Sequence, residues 1–225
     1  MADEKTLLHR DDPDKEPLVG NIKVTRQDWI NVALDVLVSD GVDQVKVLNL
    51  GTRLGVSRSS FYWYFKSRQE LLDALLQHWQ DTNTAAIVAK AGQPAETITE
   101  AVCHYFHCFI DKSLFNNPLD FAIRAWSRRS GKVRRALDLS DQTRLDALAA
   151  MFARFGFPPE EAMVRARVLY FMQVGYDLAE LNEPTSDRLN LVPTYLYCFT
   201  GQMPRESEIE ALEDFARLAE KGNVP

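Results

Sequence analysis

The stretch from 47 to 72, VLNLGTRLGVSRSSFYWYFKSRQELL, constrains the fold more than any other part of the chain. Its apolar residues recur at helical spacing on both sides of a Gly-Val-Ser corner. Gly55 is placed to end one short helix, and Ser57 is placed to cap the next. Ser67, three residues before Glu70, has the spacing of a capping box. We therefore expect two short helices joined at an angle, followed by the start of a third.

Helical signals continue on both sides of this stretch. Thr25 and Asp28 resemble a capping pair at the start of a first helix, and Gly41 is placed to end it. The helix that starts after Ser67 is expected to run to about Lys90. No sustained alternation of β-branched residues interrupts the pattern, so we predict an all-α protein. The remaining predicted helices cover 95–114, 118–129, 132–155, 159–181, 187–200 and 205–220.

Charge is distributed unevenly along the chain. The protein of 225 residues has a net charge of -6, which argues against indiscriminate coating of nucleic acid. Between Gln44 and Gln69, however, there are basic residues and no acidic residue. This local reversal predicts contact with a polyanion through one small element. The basic residues of the segment are Lys46, Arg53, Arg58, Lys66 and Arg68.

The composition predicts a cytoplasmic protein. Three cysteines are too few and too uneven in number for a disulfide framework. No apolar run approaches the roughly 18 residues of a spanning helix, and residues 1–17 lack the layout of a secretory signal. Residues 1–21 are rich in charge and poor in large apolar groups, so we expect a disordered tail there.

Two helices held at an angle by a short Gly-containing corner form a helix-turn-helix, whose second helix can enter the major groove of DNA. Leu50, Leu54, Val56 and Phe61 are expected to hold the two helices together. That arrangement leaves polar and aromatic side chains pointing outward, on a surface that is covered in use. The outward set is Arg58, Ser59, Ser60, Tyr62 and Trp63.

The run from Thr25 through the corner to FYWYFKSRQELLDAL at 61–75 resembles the DNA-binding domain of the tetracycline-repressor (TetR) family of bacterial regulators. The likeness covers about 50 residues. Gly51 stands where the family usually has Ala, and Arg68 where Lys is usual. Gly51 is expected to weaken the second helix by up to ~1 kcal/mol relative to Ala.

The resemblance implies a division of labour on DNA. Thr25, Tyr62 and Lys66 would contact phosphates, while Arg58, with Ser59, Ser60 and Trp63, would face base edges. Arg58 is the candidate for a bidentate contact to guanine. Tyr64 is expected to contribute more to packing than to DNA contact. The full set of candidate DNA-binding residues is Thr25, Lys46, Arg58, Ser59, Ser60, Tyr62, Trp63, Tyr64, Lys66 and Arg68.

For the C-terminal half, the resemblance implies a helical ligand-binding and dimerisation domain. The helix at 95–114 has an apolar stripe and no charge run on its other side, which fits a buried pocket wall. Its CHYFHC sextet also permits a metal site or a thiol sensor, but Cys103, His104, His107 and Cys108 are better explained as core or pocket residues. The candidate ligand-binding residues are Cys103, Phe106, His107, Ile110, Phe121, Trp126, Phe152, Tyr170 and Tyr176, with no metal ligand and no cofactor.

Two stripes of small and apolar residues near the C-terminus predict a four-helix bundle between two subunits. Pro193 either delays the start of the second of these helices or kinks it. The candidate interface residues are Ala162, Ala166, Leu169, Tyr170, Gln173, Val174, Leu189, Val192, Leu196 and Phe199.

These features together predict a homodimeric DNA-binding repressor that a small, largely apolar effector releases from a palindromic operator. The expected division is a tail at 1–21, a helix-turn-helix domain at 22–70 and a helical ligand-binding and dimerisation domain at 71–225. The alternative is the same fold controlled by a protein partner or by abundance, which the lack of a sizeable cavity would favour. No Ser/His/Asp elbow, phosphate loop or HExxH motif supports an enzyme.

Overall fold

The computed structural model describes residues 24–179, 181 and 183–221, and this part of the chain contains helices and no strand. The predicted all-α fold is therefore confirmed. The tail predicted at 1–21 lies outside the described residues. The helices are α1 (Arg26–Ser39), α2 (Val47–Leu54), α3 (Arg58–Phe61), α4 (Arg68–Trp79), α5 (Ala85–Gly92), α6 (Ile98–Ile110), α7 (Asn117–Ser127), α8 (Gly131–Arg154), α9 (Pro159–Leu178), α10 (Thr185–Thr200) and α11 (Glu206–Glu220).

Local capping sets the starts of the N-terminal helices. The Asp28 amide donates to Thr25 Oγ1 at 3.2 Å, while the Thr25 amide donates to Asp28 Oδ2 at 2.7 Å, which completes a capping box for α1. The Glu70 amide donates to Ser67 Oγ at 3.2 Å and starts α4 in the same way. Both predicted caps are confirmed. Gly55 ends α2 in the left-handed region, with φ of 65°, as the corner required.

Ser57 does not cap α3 as expected. It occupies the position before the helix, but its hydroxyl lies 2.7 Å from Ser59 Oγ and forms no capping bond with the backbone. The α3 amides near the corner are therefore not held by this side chain. The corner is fixed instead by backbone bonds, including Val56 N to Gly51 O at 2.9 Å.

One long helical path connects the N-terminal helices to the rest of the chain. A wider π turn, Gln80–Thr84, joins α4 to α5 without interrupting the path, which reaches Gly92. The prediction that this helix continues to about Lys90 is confirmed, although no sequence feature indicates the π turn. Such turns are frequent at functional sites.

The N-terminal helices enclose a core built around two aromatic side chains. Trp29 of α1 and Phe61 of α3 are both fully buried, with ring centroids 5.2 Å apart in an edge-to-face pair. Gly51 lies against this pair: a Cβ there would be 3.7 Å from the Trp29 ring and 3.1 Å from Val56 O. Gly51 therefore lets α2 approach both the indole and the corner closely.

Helix α7 belongs to two layers of the molecule. One face buries Leu119, Ile123 and Trp126 in the N-terminal core, together with the start of α8. The opposite face carries Phe121 and Arg124, which look into the C-terminal half. The N-terminal helices are therefore packed directly on an element of the second half.

Basic residues between the end of α7 and the first turn of α8 also connect the halves. Arg129 Nη1 lies 2.7 Å from Asp43 Oδ2, and Lys132 Nζ lies 2.6 Å from Asp73 Oδ1. These partners belong to the turn after α1 and to α4. Exposed ion pairs contribute little individually, about 0–1 kcal/mol each, so apolar packing of α7 remains the stronger connection.

A second core joins α5, α6, α8, α9, α10 and α11 in the C-terminal half. Pro193 lies inside α10, which begins at Thr185, so the possibility of a delayed helix start is wrong. No helix among the described residues is both long and apolar enough to cross a bilayer.

Candidate nucleic-acid interface and ligand cavity

The helix-turn-helix corner presents large apolar side chains to solvent. Trp63 is 85% exposed and Tyr62 is 50% exposed, immediately after the buried Phe61. Leu48 of α2 is 70% exposed. Aromatic and apolar groups of this size on an isolated chain mark a surface that is covered by a partner.

Polar groups surround these side chains. Arg58 is exposed, and its Nη2 lies 3.1 Å from Tyr62 Oη, with the guanidinium 5.9 Å from the centre of that ring. Lys66 is exposed at the start of α4, where its backbone amide donates to Glu70 Oε2 at 2.7 Å. The Lys66 ammonium is therefore carried by a rigid backbone. Of the other candidates, Thr25, Lys46 and Ser59 are exposed and Ser60 is partly buried.

Two candidate DNA-binding residues are held inside the domain. The Arg68 guanidinium donates to Val45 O at 2.5 Å and to Val42 O at 2.6 Å, so it secures the turn after α1. Tyr64 Oη donates to Val24 O at 2.6 Å and ties the start of α1 to the corner. Since these donors already have backbone partners, we remove both residues from the expected DNA-contacting set. A basic or aromatic residue in this segment can contact DNA or hold the domain together, and the residue type alone does not distinguish these roles.

The C-terminal half contains a cavity of about 810 Å³ between α6, α7, α8 and α9. Its walls include the rings of Phe109, Phe115 and Phe121. They also include charged groups from α7 and α8, which the prediction of a largely apolar effector did not foresee. A ligand of this cavity must satisfy hydrogen-bonding groups as well as fill apolar space.

Two arginines of the cavity wall are neutralised by two carboxylates. Arg124 Nε lies 2.9 Å from Asp120 Oδ2, and its Nη2 lies 2.8 Å from Asp141 Oδ1. Arg144, fully buried, lies 3.0 Å from Asp120 Oδ1 through Nη2 and 3.1 Å from Tyr170 Oη through Nη1. Burial alone would raise the pKa of Asp120, but the two arginines outweigh it and hold that pKa below its ordinary value.

The same network includes a residue of α4, the helix that begins at the helix-turn-helix corner. Trp79, at the end of α4, donates from Nε1 to Asp120 Oδ1 at 2.8 Å, and both residues are buried. A rearrangement at Asp120 therefore acts on the last turn of α4. In the sequence, this network is indicated only by isolated charged residues within otherwise apolar helices.

Across the cavity, three polar groups are less well satisfied. Asp177 of α9 accepts from Gln173 Nε2 at 2.9 Å and from Asn117 Nδ2 at 3.3 Å, and no ion pair joins it to a cation among the described residues. Tyr105 Oη and Asn117 Oδ1 are buried without a hydrogen-bond partner. Burial raises the pKa of Asp177 to about 6, against the lowering effects of Gln173 and Arg188.

The predicted ligand-binding residues are divided between cavity and core. Phe121, Tyr170 and Tyr176 line the cavity, while Phe106 and Ile110 line a smaller adjoining cleft of about 180 Å³. Phe152 and Trp126 are buried in the two cores, and Cys103 is buried among core residues of α6. These three are corrected to packing roles, since none lines the cavity or the cleft.

The CHYFHC sextet packs inside the fold. His107 stacks on Phe215 of α11 with ring centroids 3.6 Å apart, and burial lowers its pKa to about 3, with Lys90 contributing. Burial raises the pKa of Cys103 and of Cys108 to about 12, which disfavours the reactive thiolate. Among the described residues, no cluster of three or more potential metal ligands is present. His107 is therefore also moved from the ligand set to the core.

Most of the residues predicted for the dimer interface lie in the chain's own core. Ala162, Ala166 and Leu169 are buried within the chain's own core, as are Tyr170, Gln173, Val192, Leu196 and Phe199. Val174 is partly buried at the cavity, and Leu189 is partly buried at the cleft. A residue that is buried against its own chain is not available to a second subunit.

The opposite faces of the same helices are apolar and exposed. On α9 the stripe consists of Val164, Val168, Phe171 and Leu178, each 44% exposed or more. Leu191 and Tyr195 continue it on α10. Their spacing follows the helical repeat, so they form one face on each helix. Both faces of α9 are rich in apolar residues. The sequence pattern alone therefore does not show which face packs inside the chain and which is exposed.

Residues 30–75 match the family described as bacterial regulatory proteins, tetR family. The tetracycline repressor protein class A from transposon 1721 of Escherichia coli is 39% identical over 62 residues, which cover 28% of this chain and 29% of that protein. The chain thus aligns with less than a third of this relative's length, and the aligned part includes the corner described above.

Solved structures extend the likeness in fold to the C-terminal half. A transcriptional regulator from Rhodococcus sp. Rha1 matches with a TM-score of 0.57 at 17% identity, covering 90% of this chain and all of that chain, 100%. Mycobacterium smegmatis AmtR matches with a TM-score of 0.56 at 16% identity, covering 92% and 99%. Residues 30–75 thus resemble the tetR family in sequence, and the solved structures show a similar fold over most of the chain.

Proposed function

We propose that this chain is a homodimeric, DNA-binding transcriptional repressor of the cytoplasm, released from a near-palindromic operator by a small molecule. The observation that carries the proposal is the exposed group of Leu48, Tyr62 and Trp63 on a capped helix-turn-helix corner. Arg58 and Lys66 flank this group and supply cationic donors for phosphate and base edges. The regulators that match the chain in sequence and fold support the same role.

The geometry of the corner supports these roles on DNA. Lys66 and Thr25 lie at the starts of α4 and α1, where helix N-termini add amide donors for phosphate. Arg58 and Trp63 project from the α3 segment that enters the groove. Capping at Thr25 and Ser67 fixes the backbone beneath these side chains, so little ordering is needed when DNA binds.

Two copies of α3 must be held together to read a palindrome, one helical turn (about 34–36 Å) or a multiple of it apart. We propose that the exposed α9 and α10 faces pack against the same faces of a second subunit as a four-helix bundle. These faces are contributed by Val164, Val168, Phe171 and Leu178 with Leu191 and Tyr195. Covering them explains apolar groups that would otherwise remain in water.

The release step requires a ligand that binds one arrangement of the dimer more tightly than the other. The cavity of about 810 Å³ is large enough for such a molecule, which favours an effector over control by a protein partner or abundance alone. Asp120 lines the cavity and holds Trp79 at the end of α4. A ligand that shifts α7 would therefore change the direction of α4 and the separation of the two corners.

The test is selection of bound sequences from random DNA, followed by titration at one fixed salt concentration. Arg58→Ala is expected to weaken binding of the selected palindrome by about 5-fold or more for each half-site, a loss of about 1–3 kcal/mol per contact, and to relax base preference at one position of each half-site. The loss arises because a bidentate contact to guanine is removed.

Arg134→Ala is the matched control, since Arg134 is an exposed arginine of α8 paired with Asp138 at 2.8 Å and lies outside the corner. It should leave affinity and base preference unchanged. Equal effects of the two substitutions, or failure to enrich any palindrome, would contradict the proposal.

A further inference from the structure

We propose that the cavity receives an organic cation, an ammonium group carried on an apolar body, with Asp177 as the counter-ion. The assignment builds on the proposed function, because it names the chemical class of the molecule that the sensor half would bind. It depends on how the polar groups of the two opposite cavity walls are satisfied.

On the α7–α8 wall, the two arginines are paired with carboxylates. Arg144 Nη2 lies 3.0 Å from Asp120 Oδ1 in an ion pair, although it has no hydrogen-bond partner of good geometry. Arg124 contacts Asp120, Asp141 and Tyr170 at distances between 2.7 and 3.1 Å. Arg144 contacts Asp120 and Tyr170 and donates from Nε to Thr84 Oγ1 at 3.1 Å. Two positive and two negative charges cancel within this network, so it offers little attraction for an anionic ligand.

Around Asp177 of α9, Asn117 at the start of α7 and Tyr105 of α6, acceptors remain open in the cavity lining. Asp177 has amide donors from Gln173 and Asn117 but no ion pair with a cation among the described residues. Asn117 Oδ1 is buried without a donor, and the fully buried Tyr105 Oη has no partner. A buried group of this kind destabilises the protein when it stays unsatisfied. A ligand that donates hydrogen bonds and carries positive charge satisfies all three groups.

The orientation of the Asn117 amide agrees with this assignment. Its Nδ2 donates to Asp177 Oδ1 at 3.3 Å, which suits an accepting carboxylate and leaves Oδ1 open to a donor. Aromatic rings complete the surroundings of a cation: Phe121 and Tyr176 line the same cavity, and ring faces attract cations.

The apolar body of the ligand has a place in the adjoining cleft. Phe109, Gln173 and Tyr176 line both the cavity and the cleft, so the two spaces meet beside Asp177. Beyond this junction the cleft is walled by Phe106, Ile110, Met172, Leu189, Val192 and Leu212. A chain or ring system attached to the ammonium group would occupy it.

The opposing charges at the junction are Lys112 and Arg188, with Glu183 beside them. Arg188 lies over the Tyr176 ring at 4.6 Å, and Tyr176 Oη donates to Glu183. Lys112 is exposed, so solvent screens its charge. These groups make an anionic head the competing possibility, which the experiment must separate from the cationic one.

The experiment compares three probes of equal chain length on the purified full chain without DNA: decylammonium, decanol and decanoate. Dissociation constants are measured by titration calorimetry at pH 8, below micelle-forming concentrations. Decylammonium is expected to bind at least tenfold more tightly than decanoate. Asp177→Asn should weaken decylammonium binding about tenfold and change decanol binding by less than about twofold, since it removes the charge and keeps the shape.

Asp146→Asn is the matched control, because Asp146 is an exposed carboxylate of α8 outside the cavity and the cleft. It should leave all three dissociation constants unchanged. Tyr105→Phe is a second, independent variant, and it should weaken decylammonium binding by about threefold.

Tighter binding of decanoate, equal effects of Asp177→Asn and Asp146→Asn, or no measurable decylammonium binding would overturn the assignment. Selection of DNA by the same proteins without probe is scored separately. A chain that selects a palindrome but does not bind decylammonium would lose the cation assignment alone. A chain that binds decylammonium but selects no DNA would lose the proposed function and keep the assignment.

Discussion

The helix-turn-helix corner and the cavity half differ in how their polar groups are satisfied. At the corner, the helix caps form within a few residues, as in the bonds between Thr25 and Asp28 and between Ser67 and Glu70. In the cavity half, the buried polar network joins distant segments, since Trp79 and Asp120 lie 41 positions apart in sequence. The helix starts at the corner are therefore specified locally, whereas the cavity network is specified by tertiary packing and retains polar groups without partners, such as Tyr105 Oη.

The largest expected effect tests how rigidly the corner is built. Leu50 is fully buried in the N-terminal core, and Leu48, two positions earlier on the same helix, is 70% exposed. Leu50→Ala should lower the free energy of unfolding by about 3 kcal/mol, because it removes buried methyl groups and leaves a cavity. Leu48→Ala should change it by less than about 0.5 kcal/mol. Denaturant unfolding of both variants measures the difference.

Operator binding provides a second comparison of the Leu48→Ala and Leu50→Ala variants. Leu48→Ala is expected to weaken operator binding while the protein remains as stable as before, if Leu48 contributes to the covered surface. A similar loss of stability in both variants would show that α2 is packed on both sides and would contradict the exposed surface that the DNA proposal requires.

The sequence predicted the corner well because its contacts are local. The caps at Thr25 and Ser67 and the left-handed Gly55 follow from residue types at fixed spacing. The errors at the corner concern Ser57, Tyr64 and Arg68, whose side chains form hydrogen bonds that the residue type alone does not predict. The bonds of Tyr64 and Arg68 depend on neighbours from other segments, as with Arg68 and Val45, 23 positions apart.

The cavity half was predicted only as helices. Residues such as Ala166 and Val168 lie on opposite faces of α9, and both faces are apolar enough to be buried. Which face packs on α8 depends on the shapes of both helices, and a periodicity argument does not contain that information. Asp177 was missed for a related reason, since a single acid near a helix end gives no sign of the cavity beside it.

The second expected effect concerns the pH dependence of stability that arises from Asp177 in the cavity lining. The pKa of Asp177 rises from 3.8 to about 6 on folding, so the folded protein holds this proton more tightly than the unfolded chain. Its contribution to stability is complete below about pH 3.8 and is lost as the pH rises through 6. The charges facing it are Arg188 from α10 and Asp120 and Arg124 from α7.

Asp177→Asn should remove that loss. Its stabilising effect relative to the natural protein should grow by about 1.5 kcal/mol between pH 5 and pH 8. Denaturant unfolding at the two pH values measures the growth, with Asp146→Asn as the exposed control. A constant difference across this range would mean that Asp177 is well solvated, and the contrast between the two halves would then be weaker.

The smallest expected effect returns to the corner and compares two serines placed before helices. Ser67 accepts from the Glu70 amide at 3.2 Å, whereas Ser57 contacts Ser59 Oγ at 2.7 Å and caps nothing. Ser67→Ala should lower the free energy of unfolding by about 1 kcal/mol, and Ser57→Ala should cost at most a few tenths of that. Denaturant unfolding resolves the two values.

Operator affinity measured on the same two variants shows what the cap does for binding. Ser67 holds the backbone that carries Lys66, so its loss should weaken DNA binding even at temperatures where the protein stays folded. Ser57→Ala should leave binding close to that of the natural protein unless the hydroxyl itself reaches DNA. If Ser57→Ala destabilised the protein more than Ser67→Ala, the corner would depend on the Ser57–Ser59 contact. In that case local helix caps would not be what specifies the corner, and the contrast with the cavity half would be weaker.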